Sequence, residues 1–422
     1  MIRSLHVSST DSFEGAARAA YRIHQLFRSS AVVQSKMIVR RRRSDDDSVL
    51  QFTASPDGYL KTKYKSWRSR FEKKHWEGFS TTQEGLLSRA DQAAGMLRAI
   101  NNLEHDVLHL HWLGWDTLTV EEVGSIEKPV VWTMHDMWPL CGGEHYAPDR
   151  PDARFKVGYQ KDNRPTGESG PDLNRWVWSR KKASWRRPMT VVCPSRWLSD
   201  CVKQSVLFHD CCVHVVPNPI ELDIWKPFSR FHARELLGLP QDKRIILFGA
   251  IGGGASHRKG GSLLLEALQV LAGKGMKDAH LVVFGQDAPQ EEKSLDLPAT
   301  YLGRLYDDYS MVAAYNAADV MVVPSRQDNL SQTAVEAQAC GIPVVAFDVG
   351  GLGDIVEHQQ TGYLARAFNT EDLAAGINWV LGTAERAEAL GQAARLAAEQ
   401  KYDQQKIVDA YTNIYSQALS SK

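Results

Sequence analysis

Residues 328–351 read DNLSQTAVEAQACGIPVVAFDVGG. Asp328 opens a polar loop, a short helix follows over Ser331–Cys340 with Glu336 inside it, and Gly341 and Pro343 stop that helix. Pro343–Phe347 then reads as a buried strand, and Gly350-Gly351 turn the chain at its C-terminal end. In a parallel α/β sheet ligands bind at that end of the strands. Two carboxylates, a helix N-terminus and a Gly-Gly turn would therefore gather on one rim. Such a rim suits a ligand with sugar hydroxyls at one end and phosphates in the middle.

Upstream of this stretch the same alternation repeats. Arg244–Gly249, His280–Gly285 and Val320–Pro324 read as strands, and Ser262–Ala272 and Tyr309–Ala317 as helices. Repeated βα units predict an α/β fold with a doubly wound parallel sheet. The N-terminal half opens likewise, with a strand over Ile2–Val7 and an amphipathic helix from Ala16 to Phe27. Further strands are expected at Val107–His111, Val130–Thr133 and Thr190–Cys193. Pro217, Pro219 and Pro227 punctuate an aperiodic segment, so 217–227 reads as a linker. The expected domains are 1–216 and 228–400. A last helix over 401–422, with Ile407, Tyr411, Ile414, Tyr415 and Ala418 on one stripe, would have to bury that stripe, with the first domain as the candidate surface. Arg40–Arg43 followed by Asp45–Asp47 reads as a self-compensating loop.

Bulk properties narrow the function. A chain of 422 residues points to two domains, and 43% hydrophobic with 24% charged residues is ordinary for a globular protein. The formal net charge is +0, so nothing global points to nucleic acid. The start MIRSLHVSST lacks a long apolar core and a cleavage signal, which argues against secretion. No run approaches the ~18 apolar residues of a membrane span. The six cysteines form no C-x-x-C pair, so reduced thiols in a cytoplasmic protein are expected and a zinc site is not.

Four segments carry chemistry. Gly249–Gly261, GAIGGGASHRKGG, follows a strand and precedes a helix. Its amides and the helix dipole favour an anion, and Lys259 adds a fixed charge flanked by Arg258 and His257. Asp328 and Glu336 are acceptors for vicinal hydroxyls such as those of ribose, although taken alone the pair is better explained by an acid near a helix N-terminus and a solvated Glu. In Trp132–Tyr146, WTMHDMWPLCGGEHY, His135 and Asp136 follow a strand directly, and His145 lies past a Gly-Gly turn. Lys61–Trp76 and Arg175–Arg187 interleave basic and aromatic residues. That pattern suits an anionic membrane surface, and nucleic acid nearly as well, or else a solvated face with aromatic anchors.

Taken together, these residues resemble the family-4 retaining glycosyltransferases of the GT-B fold. The resemblance is strongest over Val215–Leu364 and continues through Leu5–Phe27 and Val107–Tyr146. It rests on the segment VVPNPIELDIWKP and on an acid-x7-Glu signature, here Asp328-x7-Glu336 with Asp where many members carry Glu. It implies two Rossmann-like doubly wound domains with an interdomain cleft. Glu336 would hold the donor ribose, and Asp328 with Asn329, Leu330 and Ser331 would face the donor sugar and phosphates. Lys259, beside Arg258, would neutralise the leaving diphosphate. His135 matches the family's histidine near the transferred sugar, and Gly15 matches the loop that approaches the diphosphate, with Glu14-Gly15 in place of the usual double glycine. MHDMWPLCGGEHY resembles a subgroup that makes bacterial surface polysaccharides.

The reaction implied is transfer of a hexosyl group, with retention, from a UDP- or GDP-sugar to a glycan, with a lipid-linked glycan as the acceptor favoured by that subgroup. No metal ion and no cofactor is expected, because Lys259 and helix amides can stabilise the phosphate charge that develops. An enzyme of this kind would work in the cytoplasm, with the inner face of the plasma membrane as a candidate docking surface. Two other readings stay open: a GT-B epimerase acting on nucleotide sugars, and a non-catalytic protein that keeps the nucleotide pocket. A nucleic-acid partner is not expected.

Overall fold

Two sheets, in which every pair of neighbouring strands is parallel, organise the chain. The computed structural model describes residues 1–12, 15–30, 32–53, 76, 78–81, 85–92, 95–249, 256–289 and 297–420. It divides into two units, Met1–Asn218 with Gln405–Lys422 and Pro219–Gln404.

The first unit contains β1 (Ile2–Thr10), β2 (Val33–Arg41), β3 (Val49–Gln51), β4 (Val107–Leu110), β5 (Val130–Thr133), β6 (Thr190–Cys193) and β7 (Cys212–Val215), in the order β3-β2-β1-β4-β5-β6-β7. The order reverses direction between β1 and β4, which is the Rossmann arrangement. Alternate residues point to opposite faces. Leu5, Val7, Leu108, Leu110 and Trp132 therefore share one apolar face, whereas Val107, Val131 and Val192 belong to the other. Two helices cover that second face. Gly15–Ser30 supplies Ile23, Leu26 and Phe27, and Gln404–Ser420 supplies Ile407, Val408, Tyr411, Ile414, Tyr415 and Ala418. The apolar stripe of the last helix is thus buried in the core of the first unit.

The expected loop at Arg40–Arg43 is in part strand. β2 runs to Arg41, which pairs with Thr10, because β1 continues to that point and its edge needs a partner. Asp46 turns instead to the helix Gly15–Ser30, where Arg28 meets it at 3.1 Å.

The second unit contains β8 (Arg244–Gly249), β9 (Ala279–Phe284), β10 (Ala299–Tyr301), β11 (Val320–Val323), β12 (Val344–Phe347) and β13 (Gly362–Ala365), in the order β10-β9-β8-β11-β12-β13. This too is a doubly wound sheet, with its reversal between β8 and β11. β11 and β12 are buried throughout, as apolar strands covered by helices on both faces must be. Helix starts are marked by side-chain caps: Asp307 accepts from the Ser310 amide and Asn369 from that of Asp372. Ile220 and Trp225, in the proline-punctuated segment, are buried in this unit's core. No helix among the described residues is long and apolar enough to cross a membrane.

Candidate active site

The reversal between β8 and β11 leaves a crevice at the carboxyl ends of those strands. The chain leaving β8 enters the turn His257–Lys259, and the chain leaving β11 enters the loop that carries Asp328. Gly260 makes their approach feasible. It sits at φ +69°, and a Cβ there would fall 1.9 Å from the Pro324 carbonyl oxygen. The Arg326 amide donates to the Arg258 carbonyl at 2.8 Å, tying the two loops together.

Across this junction Lys259 Nζ donates to Asp328 Oδ2 at 2.5 Å, and Ser325 Oγ donates to the same oxygen at 3.4 Å. Arg258 Nη1 donates to the Gln327 carbonyl at 3.0 Å and lies 3.7 Å from Asp328 Oδ1. Asp328 is buried. Burial alone would raise its carboxyl, but Lys259 and then Arg258 overcome that and hold it below the usual carboxylate range. The third side of the crevice comes from β12. Gly350 takes φ +58°, where a Cβ would lie 2.3 Å from the Asp328 carbonyl, and the Gly351 amide donates to that carbonyl at 2.9 Å.

Asn329, Leu330 and Ser331 follow, all buried, and lead into the helix Gln332–Ala339. Ser331 stands at the N-cap, yet its side chain makes no capping bond and its hydroxyl pairs with Thr333 at 3.0 Å. The N-terminal amides and the dipole of this helix therefore favour an anion beside Lys259. Glu336 lies one turn in and is 1% exposed, with Tyr315 donating its hydroxyl to Oε2 at 3.0 Å. Tyr315 comes from the helix Asp308–Ala317 and has no motif to announce it. Arg258, Lys259, Asp328, Asn329, Leu330, Ser331 and Glu336 thus share one rim of the second unit. Residues 250–255, which include the triple glycine, lie outside the described residues.

Gly15 and His135 belong to the first unit. Gly15 begins the helix after β1, and Glu14 lies outside the described residues. His135 follows β5 and is half-buried beside another imidazole, with its Nε2 3.2 Å from His111 Nδ1. Burial pushes His135 down to about 4, against the opposing charge of Asp136. Asp136 and His145 are held structurally. They bond at 2.6 Å, with Trp112 donating to Asp136 at 2.8 Å and Ser88 joining His145 at 2.7 Å. Lys181, fully buried, donates to the carbonyls of Trp138, Cys141 and Gly142 and lies 3.8 Å from the Trp138 ring centroid. Burial pushes it down to about 7.

The sequence reading missed a cluster. His6, His109 and His111 place one ring nitrogen each within 4.8 Å of the others, all buried, a spacing that by count could hold a metal ion. These nitrogens already have partners, however. His109 bonds Tyr415 at 2.6 Å and Thr133 at 2.7 Å, and His6 bonds His111 at 2.9 Å. The signal lay in the alternation of LHV and VLHLH, which puts the imidazoles on one face of adjacent strands.

Residues 229–397 match the family described as Glycosyl transferases group 1, and residues 57–224 match Glycosyltransferase Family 4. The chain belongs to this glycosyltransferase family. Among curated relatives, D-inositol 3-phosphate glycosyltransferase of Saccharomonospora viridis is 32% identical over 226 residues, 50% of this chain and 51% of the relative. The chain spans about half the length of the curated relatives it matches. Sucrose-phosphate synthase of Thermosynechococcus elongatus superposes with a TM-score of 0.67 at 18% identity, covering 100% of both chains. HepE of Anabaena, in complex with UDP and glucose, gives 0.65 at 17% identity, covering 99% of this chain and 100% of HepE. These structures share the GT-B fold, two Rossmann-like domains built on parallel sheets.

Proposed function

We propose that this glycosyltransferase moves a hexosyl group from a nucleotide diphosphate sugar to a glycan acceptor, with retention and without a metal ion. The observation that carries the reading is the Lys259–Asp328–Arg258 cluster beside the N-terminus of Gln332–Ala339. As the glycosidic bond breaks, negative charge grows on the departing diphosphate. Lys259, Arg258 and the helix amides are fixed positive partners for that charge, so no ion has to be recruited. Asp328, kept ionised, holds Lys259 in place until a phosphate competes for it. Glu336 accepts the ribose hydroxyls, and Asn329–Ser331 line the sugar–phosphate junction with backbone amides. His135 takes the sugar end of the donor, and the loop at Gly15 the diphosphate.

HepE shares the fold and was solved with UDP and glucose, which puts UDP-sugars first among donors to test, with GDP-sugars second. A lipid-linked glycan is the acceptor class we favour. Arg175, Lys182 and Arg186 line an open hollow of about 500 Å³ with Trp178 and Tyr159, a surface suited to an anionic membrane face. The companion segment 61–75 lies outside the described residues.

The deciding experiment is a panel of UDP-, GDP- and ADP-sugars scored by thermal shift and by donor turnover, run on the wild type and on Lys259→Ala. Turnover of one donor that Lys259→Ala abolishes supports the reading. Near-normal turnover by the variant removes the phosphate role of Lys259.

A further inference from the structure

The first sheet carries a buried line of imidazoles that leads to His135. Register places His6 on β1 directly beside His109 on β4. His111 lies two residues beyond His109, and His135 two beyond Thr133, so strand alternation keeps all of them on the face covered by the helices Gly15–Ser30 and Gln404–Ser420. The rings pack in sequence, the first pair tilted and the next two stacked. Centroids are 4.7 Å apart for His6 and His109, 4.2 Å for His109 and His111, and 5.4 Å for His111 and His135.

Hydrogen bonds join three of them end to end. Ser4 Oγ lies 3.3 Å from His6 Nε2, His6 Nδ1 lies 2.9 Å from His111 Nε2, and His111 Nδ1 lies 3.2 Å from His135 Nε2. Burial pushes His6 and His111 well below the ordinary histidine range, and the neighbouring imidazoles push in the same direction. The rings are therefore neutral near pH 7, and a neutral imidazole has one N–H and one lone pair. Each N···N bond then holds one proton, and every ring must donate in the same sense. Donation runs outward, from Ser4 to His135, or inward, from His135 to Ser4. His109 does not join this line, because Tyr415 and Thr133 engage its nitrogens; it packs against both, tilted to His6 and stacked on His111.

We propose that His111, backed by His6 and Ser4, is a positioning residue that fixes the tautomer and ring plane of His135. With Nε2 committed to His111, the direction of donation along the line decides whether His135 Nδ1 carries the proton. One choice of direction at Ser4 sets three rings at once, without placing a charge in the core. The inference rests on the assignment of His135 to the donor sugar.

The test is ring ¹⁵N spectroscopy on the full chain, labelled at histidine and deuterated. In the wild type, His135 should show a single tautomer, with a coupling between its Nε2 and His111 Nδ1 across the hydrogen bond. In His111→Phe, an aromatic ring without nitrogens, the His135 shifts should move to tautomer-averaged values. Donor turnover should fall about 10- to 100-fold in kcat, with KM for the donor within about twofold, the scale seen when an orienting partner of a functional imidazole is lost. Unchanged His135 shifts in the variant, or no coupling in the wild type, overturn the proposal. If His111→Phe does not fold, the wild-type coupling decides alone. His135→Ala tests the other assignment separately: undiminished turnover would remove His135 from the sugar site while leaving the spectroscopic result on the imidazole line to stand.

Discussion

Replacing Glu336 by Gln isolates the charge of one buried group. Glu336 is 1% exposed and accepts the Tyr315 hydroxyl at 3.0 Å. Glutamine keeps the volume and can keep the Tyr315 bond through its carbonyl, so the protein should fold. What changes is the face offered to the ribose. A carboxylate only accepts, whereas the amide presents an NH2 where a hydroxyl would donate. A hydrogen bond to a charged acceptor contributes about 1.5–3 kcal/mol and one to a neutral acceptor about 0.5–1.5. The loss is then about 1–2 kcal/mol per hydroxyl, and about 2–4 kcal/mol for two. At 1.4 kcal/mol per tenfold, nucleotide Kd should rise by roughly 30- to 1000-fold. Calorimetric titration with UDP and GDP measures this, alongside a thermal melt of the unliganded variant. A Kd within twofold of the wild type, with an unchanged melt, would refute the ribose assignment. A matching loss of Tm in the unliganded variant would show Glu336 to be mainly structural.

Other outcomes follow from the same geometry. Gly260→Ala sets a Cβ 1.9 Å from a backbone oxygen at φ +69°, so it should cost at least about 2 kcal/mol in urea unfolding and abolish nucleotide binding. Lys181→Met strands three carbonyls that now share one ammonium group; a stability loss of about 3–5 kcal/mol should appear as a lower Tm. Acid should weaken the first unit before carboxylates titrate. Burial holds His24 and His135 at about 4 and His109 at about 3. The unfolded chain therefore binds more protons below its own value of 6.5, and stability is complete above that pH and falls below it. Each ring should contribute about 2 kcal/mol less at pH 5 than at pH 7.5, read as a shift in urea midpoint. The depressed carboxyls of Asp46 and Asp106, at about 2, lose their contribution only below about pH 4. Reversing charge at Arg175, Lys182 and Arg186 should reduce sedimentation with anionic vesicles, and unchanged sedimentation removes the membrane reading.

Much of the fold could be read from residue pattern. Val130–Thr133, Thr190–Cys193 and Arg244–Gly249 are strands with the expected ends, because apolar β-branched runs between polar turns leave little choice of period. β2, β3, β7, β10 and β13 stand outside that reading. β2 (VQSKMIVRR) has three polar residues in a row after Val33 and ends in basic ones, and β7 is half exposed, so neither looks like a buried strand until its neighbour supplies the ladder. In the site, motif residues such as Lys259 and Glu336 announced themselves by type and spacing. Tyr315 and the imidazole line did not, since they depend on which helix packs on which and on the pairing of His6 with His109. Register is a long-range fact, and a single sequence carries it only as parity.

The helix Gln404–Ser420 gives the first unit an unusual order of assembly. Its tyrosines fill the core around Phe27 and bond His109 and Thr133, yet the whole of 219–404 is translated before it. On the ribosome the second unit can finish folding while the sheet of β1–β7 still waits, one face covered only by Gly15–Ser30, for residues that emerge more than 180 positions later. A nascent chain stalled before residue 404 would expose Ile23, Phe27, Val131 and Val192 together. A chain truncated before residue 405 would therefore lose core from the unit that contains its N-terminal half.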